Sequence, residues 1–321
     1  MSPSRPRWAC YWGCACGGCD VSLLDTARRI LEVADKVDLV FWPIVLDTKL
    51  SDVEAMEDGS IDVAFFNGAI RNEENLHVAR LLRQKAKTLV AFGACAQTGG
   101  LHGLINTTDT ESVTREVYLE GLGLDNPSGV LPQTRTEVPE GTLELPALFD
   151  RVTPLSSVVQ VDATVPGCPP NPERLNEVLD VLLSGKAIPN GAVVGASERA
   201  LCETCPRVKK GLKVEGFRRP HLSTWDKEVC FMDQGLVCLG PVTRSGCGEA
   251  CIRGNMPCTG CYGTVPHSGD AGAAMVGALA ARMTCRDMGC ADVTARTLDD
   301  PLGTLYRFTY APSSLQGRRP S

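Results

Sequence analysis

The stretch Trp8-Ala9-Cys10-Tyr11-Trp12-Gly13-Cys14-Ala15-Cys16-Gly17-Gly18-Cys19 decides how the rest of the chain is read. Trp8 to Trp12 is a short apolar run with the aromatic content of a strand. It breaks into a glycine-rich loop carrying Cys14, Cys16 and Cys19, and an amphipathic segment follows at once. A strand that ends in such a loop and feeds a helix is where an open α/β sheet places a cofactor.

Outward from this loop the same pattern recurs. Asp20 is placed to cap a helix in which Leu23, Ala27, Ile30, Leu31 and Ala34 fall at helical spacing. Val37 to Leu46 is almost continuously apolar, as expected of a strand covered on both faces. Ile61 to Phe66 reads as the third strand, residues 72–84 as a helix, and Thr88 to Phe92 as the fourth strand, ending in Gly93-Ala94-Cys95. Ser157 to Val161 reads as the fifth, leading to Pro166-Gly167-Cys168-Pro169-Pro170. Asn171-Pro172-Glu173 then starts a helix with proline at its first position.

Strands alternating with helices predict a parallel, doubly wound α/β sheet of flavodoxin-like type. The loops carrying Cys16 and Cys19, Cys95, and Cys168 all follow predicted strands, so they converge on one rim, where ligands bind. Four thiols from three loops of one rim read as a metal shell. Residues 99–150 form a long insertion with a helix near Glu111 to Leu119, a length that usually signals a functional or partner-binding element.

The 321 residues have room for two domains, 1–190 for the sheet and 191–321 for a largely irregular metal-binding domain with a C-terminal docking tail. Beyond residue 191 hydrophobic periodicity fades and thiols crowd in. Cys202, Cys205, Cys230 and Cys238 follow C-x2-C-x24-C-x7-C; Cys247, Cys251, Cys258 and Cys261 follow C-x3-C-x6-C-x2-C. With so little regular structure expected, bound metal should supply much of the stability there. Sixteen cysteines would suggest disulfides in a secreted chain, but Met1 to Trp12 has no apolar signal region. A cytoplasmic protein with metal-binding thiols is the resulting expectation. A net charge of −6 gives no reason to expect nucleic acid as a partner, and the run Ala271 to Ala281 is too short to span a bilayer.

Spacing alone leaves two metals open. Zinc accepts C-x2-C pairs, and the ferredoxin run C-x2-C-x2-C-x3-C-P is absent. The thiol shell on the sheet rim favours iron–sulfur, because that is an unusual place for structural zinc. No phosphate loop with its lysine and no dinucleotide fingerprint is present, and the four histidines, at 77, 102, 221 and 267, are too dispersed for a histidine centre. The tail adds a small-residue helix, the thiols Cys285 and Cys290, and an alternating aromatic stretch, Thr304 to Tyr310, read as a strand or a docking arm.

Cys16-Gly17-Gly18-Cys19, Asp47-Thr48-Lys49, Gly68-Ala69-Ile70-Arg71, Gly93-Ala94-Cys95-Ala96, Pro166-Gly167-Cys168-Pro169, Cys202-Glu203-Thr204-Cys205 and Pro257-Cys258-Thr259-Gly260-Cys261 carry a resemblance. The chain resembles the small subunit of [NiFe] hydrogenases, most closely the cytoplasmic, methyl-viologen-reducing type that does not reduce the deazaflavin coenzyme. That resemblance implies three [4Fe–4S] clusters. Cys16, Cys19, Cys95 and Cys168 would hold a proximal one, Cys247, Cys251, Cys258 and Cys261 a medial one, and Cys202, Cys205, Cys230 and Cys238 a distal one. It further implies a large subunit bearing the nickel–iron site and an iron–sulfur or flavin acceptor, such as a heterodisulfide-reductase-type protein. Cys10, Cys14, Cys285 and Cys290 have no ligand role in the pattern, and the loop Arg71 to Asn75 is either a large-subunit contact or an ordinary helix start. The alternative function is electron transfer in a hydrogenase-like complex without hydrogenase activity.

Overall fold

The structure, a computed structural model, describes residues 5–186, 188–285 and 287–318. Strand β1 (Arg7–Trp12) runs into helices α1 (Gly18–Leu24) and α2 (Arg28–Lys36), then β2 (Asp38–Phe41) and the short α3 (Leu50–Glu54). Next come β3 (Ile61–Asn67), β4 (Ile70–Asn72), α4 (Glu73–Lys85), β5 (Ala86–Phe92) and α5 (Ala94–Thr98). The insertion holds α6 (Thr110–Arg115), which continues into a π turn over Glu116–Glu120, and an exposed hairpin of β6 (Arg135–Val138) and β7 (Gly141–Glu144). It closes with β8 (Leu148–Thr153), antiparallel to β4. Then follow β9 (Ala163–Val165), α7 (Pro172–Leu183) and β10 (Ala192–Val193). The thiol-rich half is punctuated by α8 (Leu201–Thr204), α9 (Ala250–Arg253), α10 (Ala271–Ala280), α11 (Met288–Arg296) and α12 (Pro301–Leu305).

Six strands make one parallel sheet in the order β10-β9-β5-β3-β1-β2. The two-residue period of the strands divides their side chains between two layers. Trp8, Cys10, Val63, Phe65, Val90 and Phe92 pack with Leu23, Val33, Leu175 and Leu179 of α1, α2 and α7. Ala9, Tyr11, Ala64, Phe66, Leu89 and Ala91 pack with Val78, Ala79 and Leu82 of α4. The sheet is therefore doubly wound, as expected. After β2 the chain crosses back over β1 to lay down β3, β5, β9 and β10 on its other side, which makes the β1/β3 boundary a topological switch point.

Several local expectations are corrected. The run from Val37 to Leu46 yields only a four-residue edge strand; Pro43, which lacks a ladder donor, turns the chain away and leaves Ile44 and Val45 exposed. Ser157 to Val161 is not a strand. Leu155–Ser157 is a 3-10 turn, and Val158, Val159 and Val161 pack against the α4 layer, so β9 starts at Ala163. Thr304 to Tyr310 is not a strand either: it spans the end of α12 and a turn that buries Tyr306 and Phe308. The Phe308 carbonyl accepts from Thr98 Oγ1 at 2.5 Å, so the tail docks on this chain's own sheet domain. The thiol-rich half also has an apolar core of its own, built around Leu201, Phe231, Leu236, Ile252, Met275 and Leu305. Cys285 and Cys290, expected as free thiols or partner contacts, are joined in a disulfide. Asp287 caps α11 and brings Cys290 back to a Cα separation of 5.3 Å from Cys285.

Asp20 is the most informative correction. Gly17 holds the cap position of α1, and Asp20 is buried, accepting from Trp42 Nε1 at 2.9 Å and Asn67 Nδ2 at 2.8 Å. It fastens the loop after β1 to the ends of β2 and β3. Asp20→Ala would strand two buried donors, and a loss of about 3 kcal/mol in urea-unfolding stability is expected. An unchanged midpoint would show that those bonds contribute nothing.

Candidate metal centres

The first thiol set sits on the carboxyl rim of β1, β5 and β9. Gly93 N donates to Val165 O and Ala94 N to Gly167 O, both at 2.7 Å, knitting the loops after β5 and β9 together. Ser22 Oγ donates to Pro170 O at 2.5 Å and draws α1 into the same knot. Cys16 and Cys168 are exposed, Cys19 is half-buried and Cys95 is buried. Burial, followed by the proximity of Cys95, Cys168, Asp20 and Cys16, pushes the Cys19 thiol far above its ordinary pKa. Burial, then Cys168, Cys16 and Cys14, pushes Cys95 up to about 12. Cys19, Cys95 and Cys168 thus resist ionisation, and bare thiolates there would be costly. A cationic centre reverses that cost, since ligating thiols ionise outright beside a metal.

The second set lines a cavity of about 270 Å³ bounded by Cys247, Cys251, Cys258 and Cys261, with Cys168 and Tyr262 at its wall. Burial, and then Cys251 and Cys168, raise Cys261 to about 12. The third set gathers Cys202, Cys205, Cys230 and Cys238: burial, then Cys238 and Cys230, raise Cys202 to about 12, and burial raises Cys238 to about 11.

The groups also touch in series. Cys168, from the first set, stands at the wall of the cavity that Cys261 of the second set lines, and its proximity helps raise the Cys261 thiol. Cys258, from the second set, donates its backbone N–H to Cys238 Sγ of the third at 3.3 Å. Among the described residues, no group of three or more His, Cys, Asp or Glu side chains stands close enough to hold a single metal ion.

The remaining thiols are placed differently. Cys10 is a core residue of the α1/α2/α7 layer. Cys14 is pinned by its backbone to Ala69, with N–H to carbonyl distances of 2.9 Å in both directions, and packs with Cys95 and Val152. The loop Arg71 to Asn75 is occupied within the chain. The Arg71 guanidinium binds Phe149 O and Thr110 Oγ1, Asn72 caps α4 by accepting from Asn75 N, and Glu74 accepts from Tyr11 OH. His102, set aside in the sequence as one of four scattered histidines, places Nδ1 3.4 Å from Cys95 Sγ. Burial lowers its pKa and keeps the ring neutral, so it can donate one N–H to that sulfur. No spacing rule pointed to it, because the contact depends on a 3-10 turn that follows α5.

Beside the rim, Trp12, Val21, Ile44 and Val45 are exposed, with Trp12 at 47%. No helix among the described residues is long and apolar enough to cross a membrane.

Residues 16–182 match the family described as NADH ubiquinone oxidoreductase, 20 Kd subunit. The chain is 38% identical over 270 residues to an F420-non-reducing hydrogenase iron-sulfur subunit of Archaeoglobus profundus, spanning 82% of this chain and 84% of that one. It is 36% identical over 303 residues to an F420-non-reducing hydrogenase subunit of Methanothermobacter thermautotrophicus, spanning 93% and 92%. A solved [NiFeSe]-hydrogenase structure from Dm. baculatum aligns with a TM-score of 0.50 at 19% identity, covering 81% of this chain and 95% of that chain, a likeness of fold.

Proposed function

This chain belongs to the family of F420-non-reducing hydrogenase iron–sulfur subunits, and from that premise we propose that it carries electrons between the nickel–iron site of a separate large subunit and an acceptor protein. As one subunit of an oxidoreductase it contributes no residue to hydrogen splitting. Its thiols would hold three [4Fe–4S] clusters: Cys16, Cys19, Cys95 and Cys168 the first, Cys247, Cys251, Cys258 and Cys261 the second, and Cys202, Cys205, Cys230 and Cys238 the third. Bound there, such clusters supply one-electron carriers whose potentials follow burial, charge and hydrogen bonding to the sulfurs.

The chain's own residues do the rest. The place of Cys168 at the wall of the second set's cavity and the hydrogen bond from Cys258 to Cys238 support a relay running first to second to third set, and this is the observation that carries the reading. Buried Cys258 and Cys238 keep water away from the junction between the second and third sets. His102 offers a hydrogen bond to the Cys95 sulfur. The exposed apolar rim of Trp12, Val21, Ile44 and Val45 suits a large-subunit interface beside the first set. An iron–sulfur or flavin acceptor, such as a heterodisulfide-reductase-type protein, fits the far end, and a cytoplasmic setting fits the reduced thiols of all three sets.

Metal and sulfide analysis of the purified native complex tests the ligand assignment. About twelve iron and twelve acid-labile sulfide per copy of this chain, after subtraction of what partner subunits contribute, is the expected result. Zinc without sulfide would overturn it. Hydrogen-dependent reduction of methyl viologen tests the activity separately, and its absence from an iron-replete complex favours electron transfer without hydrogenase chemistry.

A further inference from the structure

Between Cys205 and Cys230 the chain carries Arg207-Val208-Lys209-Lys210-Gly211-Leu212-Lys213. Residues 199–230 hold eight Arg and Lys against four Asp and Glu, whereas the whole chain has 32 against 38. Positive charge is therefore concentrated around the third thiol set of an otherwise acidic protein. Lys209 hydrogen-bonds the carbonyl of Cys202 and lowers the cost of ionising its thiol. Lys209, Lys210 and Lys213 are exposed, and so are Val208 and Leu212 between them.

The loop is also held rigidly. Lys210 N and Leu212 N donate to the buried carboxylate of Asp233 at 2.6 and 3.1 Å, and Asp233 pairs with Arg282 at 2.8 Å. Cys230 N donates to Val208 O at 2.8 Å, which joins the loop to a ligand of the third set. The Arg207 guanidinium lies 3.7 Å over the Phe231 ring and donates to Val229 O at 2.9 Å. Nearby carboxylates are partly engaged: Glu203 pairs with Arg199 at 3.1 Å, and Asp226 accepts from Glu228 N at 2.8 Å. A merely solvated loop has no need of this anchoring. Three ammonium groups interleaved with two apolar side chains, fixed over one thiol set, make a pre-organised cationic contact surface.

We propose that the lysine loop is the docking face for the electron acceptor, and that the acceptor is a small redox protein presenting a carboxylate-rich surface beside its own centre. The proposal rests on reading the third thiol set as the outermost carrier. Oxidation of one dihydrogen at the large subunit yields two protons and two electrons, so two docked one-electron acceptors are reduced and no other reductant is needed. Opposite charges at the contact raise the encounter rate and make it fall with ionic strength.

The test uses the purified native complex and two probes, an acidic single-cluster ferredoxin and a basic cytochrome c. Binding of oxidised ferredoxin is measured at about 50 and about 300 mM salt. The complex is expected to bind it at least about tenfold more tightly at the lower salt. Lys210→Gln/Lys213→Gln should lose most of that salt dependence and gain affinity for cytochrome c, with hydrogen-dependent viologen reduction unchanged. Lys210→Glu alone, at an exposed side chain, should shift both probes in the same directions if the double variant fails to assemble. Unaltered ferredoxin binding in both variants would overturn the proposal. Binding is measured without turnover, so this outcome stands whatever the viologen assay returns. Failure of viologen reduction in the unmodified complex would count against the electron-relay reading alone.

Discussion

Cys19→Ser is expected to remove about four of about twelve irons and to cut hydrogen-dependent electron flow by more than about a hundredfold, because outer-shell changes at metal sites already cost about 10–100-fold. The Cys19 thiol lies near Cys95, Cys168 and Cys16, and its replacement leaves three thiols for a centre that the sequence pattern gives four. Cys14→Ser is the matched control. Cys14 packs with Ala69, Cys95 and Val152, and its backbone is held by Ala69, so a hydroxyl in place of its thiol should leave the iron count unchanged. Iron and sulfide analysis with low-temperature electron paramagnetic resonance checks both variants. Equal loss of iron in the two would move Cys14 into the ligand shell and displace one of the four assigned to it.

Gly93→Ala is expected to act on the fold and the first centre together. Gly93 closes β5 at φ +85°, a backbone conformation that costs about 1–3 kcal/mol for a residue with a side chain. An added methyl would point straight into Cys19 Sγ, with Gly167 O 3.4 Å away on the other side. Cys19 cannot retreat freely, since α1 is held by Ser22 and Asp20. A stability loss of about 3 kcal/mol and loss of the first centre's iron are expected together. Gly59→Ala separates the two causes. Gly59 has φ +67° with nothing within 4 Å of an added Cβ, so it should cost about 1 kcal/mol and leave the iron in place. If Gly93→Ala keeps its full iron content, the collision with Cys19 is not what that glycine prevents.

The relation of loop to strand made the first thiol set legible. A parallel sheet sends every strand's carboxyl end to one rim, so cysteines placed just after three strands share that rim, and the order β9-β5-β3-β1 keeps their strands near one another. Residue spacing likewise separated the other eight thiols into two sets of four. Apolar runs were less reliable guides: Val158, Val159 and Val161 have the composition of a strand but serve as side packing, and Pro43 cut short a strand that hydropathy extended to Leu46. Asp20 looked like a helix cap because its position and type suited one; only the approach of Trp42 and Asn67 made it a buried acceptor.

By itself, then, the sequence determined the alternating α/β architecture and the placing of Cys16, Cys19, Cys95 and Cys168 in loops of the sheet's carboxyl rim. These follow from period, loop position and spacing, all of which are local along the chain. Only the tertiary structure decided that Cys168 stands at the wall of the cavity lined by Cys261, that Cys258 meets Cys238, and that His102 faces Cys95. It also decided that the lysines after Cys205 stand fixed on a buried Asp233. Those contacts join residues from separate segments, and which segments meet depends on how two hydrophobic cores pack, a property no single stretch of sequence carries. The loop from Cys14 to Cys19 shows both sides of this: its pattern announced a metal shell, and packing against Ala69, Cys95 and Gly93 set Cys14 apart from Cys16 and Cys19.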